Sequence, residues 1–266
     1  MKPTLDFDAL RPAAAALLPP SLKVDTALFA GSLVERIGNA RSDIDILVVI
    51  EDEPDWSRVD FPADGTLIDE GECRIFVSEL GGRRADVEFR VRAEIESIFE
   101  ELAGRDPEDN ITRFALSTDW LQFFHGLAIG IPVLAPDELE RLREQMPRTA
   151  ILRHLVRRFV NEARGTAEDA VGAIEAGAPG AAMLMSRQAL GSAVDAVLAS
   201  EGHTSTKAKW RFEKAAAVGR QDLVKRYLEL ELEPAPDAEA LLGSARARVL
   251  AVQDLIIEAE MNCADL

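Results

Sequence analysis

Two spacings of apolar residues divide the chain. In the first half, short runs rich in β-branched and aliphatic residues predict strands; after Pro147-Arg148-Thr149, apolar residues return at helical spacing almost throughout. Thr26–Ala30 reads as a short buried strand and Asp43–Ile50 as a second, ending in the wholly aliphatic run Ile46–Ile50. Cys73–Leu80 and Arg83–Val91 read as a hairpin turned on Gly81-Gly82. A short amphipathic helix is expected around Leu33–Ile37, stopped by Gly38-Asn39. An acidic, proline-bearing loop occupies Glu51–Asp64. Helical segments follow around Ala93–Leu102 and Ile111–Gly126, then an extended piece at Gly130–Leu134 and a helix at Pro136–Gln145. Further helices are expected near 149–176, 180–200, 206–217, 220–231 and 236–262. The expected fold class is α+β, a mixed β-sheet domain over residues 1–145 followed by a helical bundle over 146–266.

Side chains alternate along a strand, so Asp43 and Asp45 share one face while Ile44, Ile46 and Val48 share the other. Acid-x-acid pairs are cheap in this chain: with 47 acidic residues in 266, about eight arise by chance. Asp6/Asp8, Glu51/Glu53 and Glu94/Glu96 read as solvated surface. Asp43/Asp45 differs, because it opens a strand of aliphatics and follows Gly31-Ser32 at a fixed distance. Two neighbouring carboxylates on a core strand repel one another and are costly to desolvate; a hard cation with oxygen ligands, Mg²⁺ above all, relieves both problems. Gly31-Ser32 lets the backbone approach an anion, and the helix expected there would aim free N–H groups at a phosphate. The hydroxyl of Ser32 would serve equally as a helix N-cap.

At these residues the chain resembles the nucleotidyltransferase superfamily typified by DNA polymerase beta, whose signature is a Gly-Ser turn, a short helix, an Asp-x-Asp strand and a third carboxylate on a later strand. In Arg83–Val91, Asp86 and Glu88 share a face; Asp86 matches the third acid best, and Glu88 could replace it or act beside it. The resemblance implies two Mg²⁺ ions and ATP or another nucleoside triphosphate as co-substrate. Asp43, Asp45 and Asp86 would be the metal ligands, with Glu88 among the catalytic groups. Gly31, Ser32 and Ser42 would hold the phosphates. The layout is similar to that of kanamycin and streptomycin nucleotidyltransferases and of small prokaryotic nucleotidyltransferases, in which a helical bundle follows the catalytic domain. In that bundle, Lys207, Lys209 and Arg211 flank Trp210. Lys209 would reach a triphosphate, or the segment is a surface-basic helix with Trp210 packed inward.

Charge narrows the acceptor. A net charge of −17 offers no overall basic footprint, which disfavours a long nucleic acid and is compatible with a small or cationic acceptor; the resemblance implies that the acceptor bears a hydroxyl. Transfer to a protein or RNA end, or nucleotide binding without catalysis, are the other readings. Histidines 125, 154 and 203 show no metal-ligand spacing, and the Arg-x₄₋₆-His spacing of helical RNase toxins is met only by Arg148 and His154, which straddle an expected helix start. Two cysteines make neither a disulfide framework nor a zinc cluster, so a reducing cytoplasm is expected. No membrane-spanning run and no secretory pattern is present in the sequence. A homodimer is compatible with all of this.

Overall fold

The structure, a computed structural model, describes residues 5–62, 64–104 and 116–264. Cα packing divides the chain into two compact units, Met1–Arg105 with Ser117–Pro147, and Asp106–Leu116 with Arg148–Leu266.

The first unit is built on a six-stranded mixed sheet: β1 (Val24–Ala30), β2 (Ile44–Ile50), β3 (Thr66–Asp69), β4 (Arg74–Leu80), β5 (Arg83–Val91) and β6 (Ile131–Leu134), in the spatial order β3-β4-β5-β2-β1-β6. All neighbours are antiparallel except β2 and β5, which run parallel. The β4–β5 turn is the expected one, with Gly81 and Gly82 at φ 59° and 76°, the left-handed pair a two-residue turn requires.

Alternation gives the sheet two faces. Ile44, Ile46, Val48, Ile50, Ala85, Val87 and Phe89 join Ala27 and Phe29 in a core closed by α1 (Phe7–Ala15) and the turn carrying Leu17 and Leu18. Helix α1 was not expected from the sequence. Asp6 caps it, accepting from the Ala9 amide. The loop after β2 is anchored by its aromatics, Phe61 stacking on Phe76 at 4.6 Å and Trp56 tilting on Phe89 at 5.4 Å. The opposite face carries Asp45 and Leu47 of β2 and is covered by α4 (Thr118–Ile129). Gly126 makes that approach feasible, since a Cβ there would lie 2.4 Å from Leu47 Cδ1 and 3.1 Å from Ala30 Cβ. The helices α3 (Arg92–Ala103) and α5 (Pro136–Gln145) complete the unit.

Two expectations need correction here. Helix α2 spans Gly31–Val34, earlier and shorter than Leu33–Ile37, because Arg36 adopts a left-handed φ of 60° and ends it. One turn carries little macrodipole, so the dipole contribution expected of an extended helix is missing there. The helix expected from Ile111 begins at Thr118 among the described residues, capped by Ser117; positions 111–115 lie outside the described residues.

The second unit is helical: α6 (Arg148–Glu175), α7 (Pro179–Ser200), α8 (Arg211–Ala217), α9 (Gln221–Leu232) and α10 (Ala238–Ala264). The segment expected as a helix from 206 opens instead as a 3₁₀ turn at Ala208–Trp210. Helix α7 is buried on every side from Ala189 to Ser200, the pattern of a central helix, and packs mainly on α6 and α10. Its Asp195 is buried with Lys214, 3.5 Å away, and Arg211, whose Nη2 lies 2.8 Å off. Among the described residues no helix is long and apolar enough to cross a membrane.

Candidate active site

The parallel register of β2 and β5 places Asp45 directly opposite Asp86, and Leu47 opposite Glu88. Paired residues on neighbouring strands project to the same side, so the two aspartates share the face that α4 covers further along. On the other flank Asp45 pairs with Ala30, the last residue of β1. The chain then turns through Gly31 with φ 74°, against the side chain of Asp45: a Cβ on Gly31 would lie 1.8 Å from Asp45 Oδ2. Only glycine combines that backbone angle with that closeness. Asp43 lies just before β2, half-buried.

Ser32 and Ser42, expected on the phosphate side, are also gathered. A Cβ on Gly38 would lie 3.0 Å from Ser32 Oγ and 3.1 Å from Ser42 Oγ, so the two hydroxyls flank one glycine. The Ser32 carbonyl accepts from the amides of Ile37 and Gly38, and Ser42 Oγ accepts from the Asn39 amide at 2.9 Å. Arg83 of β5 donates to the carbonyls of Ala40 and Ser42 at 2.8 and 3.2 Å, pinning this loop to the strand that carries Asp86.

The arginines of β5 divide the acids between them. Arg84 grips Asp86 with two parallel bonds, Nε to Oδ1 at 2.7 Å and Nη2 to Oδ2 at 3.0 Å. Its guanidinium is held more firmly protonated by that bond and by the charges of Asp86, Asp43 and Asp45, so all three carboxylates act on one cation. Glu88 instead bonds Arg90 at 2.7 Å. Arg90 is itself fully buried, stacked 4.2 Å above the ring of Trp120 and donating to the Glu72 carbonyl. Burial pushes the Glu88 carboxyl upward, Arg90 opposes this, and the charges of Asp119 and Asp45 add to it. Glu88 is therefore a buried, arginine-held carboxylate opposite Leu47, and Asp86 is the one opposite Asp45.

Asp119, at the start of α4, is a site residue that sequence reasoning missed. Asp119 follows the Ser117 cap, a local signal that places a helix start but not its nearness to Glu88. Lys209 lies in the second unit, its Nζ 5.2 Å from the ring centroid of Trp210, which is packed inward. Among the described residues no group of three or more His, Cys, Asp or Glu side chains is gathered as a metal-holding set. The donor chemistry nevertheless fits a hard cation. Hard oxygen donors share one face, a glycine cradle a Cβ would fill adjoins Asp45, and a guanidinium stands in as the local positive charge.

No protein-family model matches the chain, and no curated protein matches it. Among solved structures, it is similar to a nucleotidyltransferase-like protein from Exiguobacterium sibiricum 255-15, at 15% identity and a TM-score of 0.48, over 95% of this chain and 74% of that one. So distant a likeness bears on neither the chemistry nor the substrate.

Proposed function

We propose that the first unit transfers a nucleoside monophosphate, AMP from ATP in the simplest case, to the hydroxyl of a small acceptor and releases pyrophosphate. The observation that carries this reading is the pairing of Asp45 with Asp86 across parallel strands, with the Gly31 turn packed against Asp45. Asp43, Asp45 and Asp86 would hold Mg²⁺, which when bound supplies charge neutralisation at the phosphates. Ser32 and Ser42, with the amides after Gly31, would bind the β and γ phosphates. The acceptor oxygen bonds to the α-phosphorus as the bond to the β-phosphate oxygen breaks, and the electron pair leaves on pyrophosphate. The hydroxyl proton passes to a carboxylate, for which Glu88, two residues from Asp86 on the same strand face, is the candidate. The acidic balance of the chain favours a cationic acceptor over a nucleic acid. A reducing cytoplasm is the compartment the cysteine content suits.

The test is incubation of the purified protein with each of the four triphosphates and a panel of amino-alcohol acceptors, reading pyrophosphate release and product mass. Asp45→Asn and Asp86→Asn should each lose about 10²–10³-fold in kcat, the range for removing one preorganised electrostatic contact. Transfer only to a protein or RNA end would move the acceptor assignment. Nucleotide binding with no turnover under any condition would retire the enzyme reading.

A further inference from the structure

We propose that Arg84 is an internal counter-ion that occupies Asp86 in the ligand-free protein and must be displaced, toward Glu79, when a divalent cation enters. The inference rests on the reading of Asp43, Asp45 and Asp86 as the metal-holding acids.

Three observations carry it. The Arg84–Asp86 contact is bidentate and takes up both carboxylate oxygens, the planar fork-to-fork geometry that arginine alone provides. A cation that needs an Asp86 oxygen thus competes with the guanidinium for the same electron pairs. Secondly, the parallel register sets Asp45 directly opposite Asp86 on the same face, so a guanidinium held on Asp86 also stands beside a second acid and offsets part of a repulsion that a metal would offset fully. Thirdly, the strand register gives Arg84 a different natural partner. Glu79 of β4 is its Cα partner across the antiparallel pair, on the same face, where opposite charges ordinarily meet. Glu79 is exposed and makes no ion pair among the described residues, while Arg84 turns along its own strand to Asp86. The displaced guanidinium therefore has a carboxylate waiting within its own hairpin. Arg84 is 55% exposed at its side chain, so the swing crosses no packed core.

This accounts for a site whose register assembles the acids without drawing them together as a metal set. Arg84 keeps Asp86 turned to itself, and the protein pays for metal uptake with one ion pair.

The test is binding of Mn²⁺ alone, without nucleotide, followed by the electron paramagnetic resonance signal of free Mn²⁺ at fixed ionic strength. Because an exposed ion pair is worth little, Arg84→Ala should bind Mn²⁺ only about twofold to fivefold more tightly than the wild type. In an Asp86→Asn background the same substitution should change the affinity by less than that. Glu79→Gln should bind more weakly than the wild type, because the freed guanidinium loses its acceptor. Equal or weaker binding by Arg84→Ala, with the wild type binding, overturns the counter-ion role and leaves the metal assignment standing. A gain that persists undiminished with Asp86→Asn also overturns it, since the effect would then be charge acting through space. If neither the wild type nor any variant binds Mn²⁺, the metal assignment fails and the counter-ion role fails with it.

Discussion

Gly31→Ala tests the contact on which the site is built. The residue sits at φ 74°, where an L side chain costs about 1–2 kcal/mol, and its Cβ would arrive 1.8 Å from Asp45 Oδ2 and 2.7 Å from Asp45 Cγ. The carboxylate must rotate away, at about 0.5–1.5 kcal/mol for an off-rotamer side chain, so the substitution should cost about 2–3 kcal/mol. The two contributions separate in a double-mutant cycle. With Asp45→Ala the carboxylate is gone and the nearest remaining atom is Asp45 Cβ at 3.2 Å. In that background Gly31→Ala should cost only the backbone strain, leaving a coupling of about 0.5–1.5 kcal/mol. Urea titrations of the four proteins supply the values. Emission from Trp56 and Trp120 follows the first unit and Trp210 the second, which keeps two transitions from being read as one. An equal cost of Gly31→Ala in both backgrounds would refute the reasoning, and so would any stabilisation.

Arg90→Met should destabilise the first unit by about 3–5 kcal/mol, because Glu88 is left buried and uncompensated; adding Glu88→Gln should recover more than half, and a cost below about 1 kcal/mol in the urea titration would contradict the buried pair. Asp195→Asn leaves Lys214 and Arg211 without their shared carboxylate and should lower the Trp210-reported transition by about 3 kcal/mol, with an unchanged transition as the contrary result. The Cys73 thiol is pushed up from 9.0 to about 11, chiefly by burial and then by the charge of Glu88. At pH 8 its thiolate is about a hundredfold scarcer than in the unfolded chain, so iodoacetamide labelling followed by mass should be slower by at least that factor. The sign for stability follows from the raised folded value: the contribution is complete below about pH 9 and is lost as pH climbs through about 11. Alkylation of Cys73 in the native protein at the unfolded rate would count against both statements.

Much of this was legible in the sequence because its signals are local. Alternation in Asp43–Ile50, the paired glycines before Arg83, and Pro136 at a helix start each depend on neighbours a few residues away, and each element formed where expected. What stayed hidden depends on partners distant in sequence. Nothing in Asp45 or Asp86 announces that their strands pair in parallel and in that register. The partition of Arg84 to Asp86 and Arg90 to Glu88 follows from which side chains are buried, and that burial is set by elements distant in sequence. Strand β3 at Thr66–Asp69 escaped notice because it is a four-residue edge strand with only Leu67 partly buried, which carries almost no pattern. Arg36 in the left-handed region shortened α2 where a glycine had been expected to end it.

The lone parallel seam also dictates an order of assembly. Strands β1 and β2 are joined through α2 and can pair early, and β3, β4 and β5 form a meander closed by tight turns. Each half pairs strands close in sequence, the kind of contact whose loop closure costs least. Bringing β5 beside β2 instead closes a loop of about forty residues, an entropic cost of roughly 3 kcal/mol that must be met before any contact across the seam repays it. Asp45 lies on one side of that seam and Asp86 on the other. A chain halted with both halves formed would show nearly full strand content with Asp45 and Asp86 still apart. Recovery of Mn²⁺ binding at the proposed site should therefore lag behind recovery of secondary structure during refolding, because Asp45 and Asp86 meet only when the two halves do.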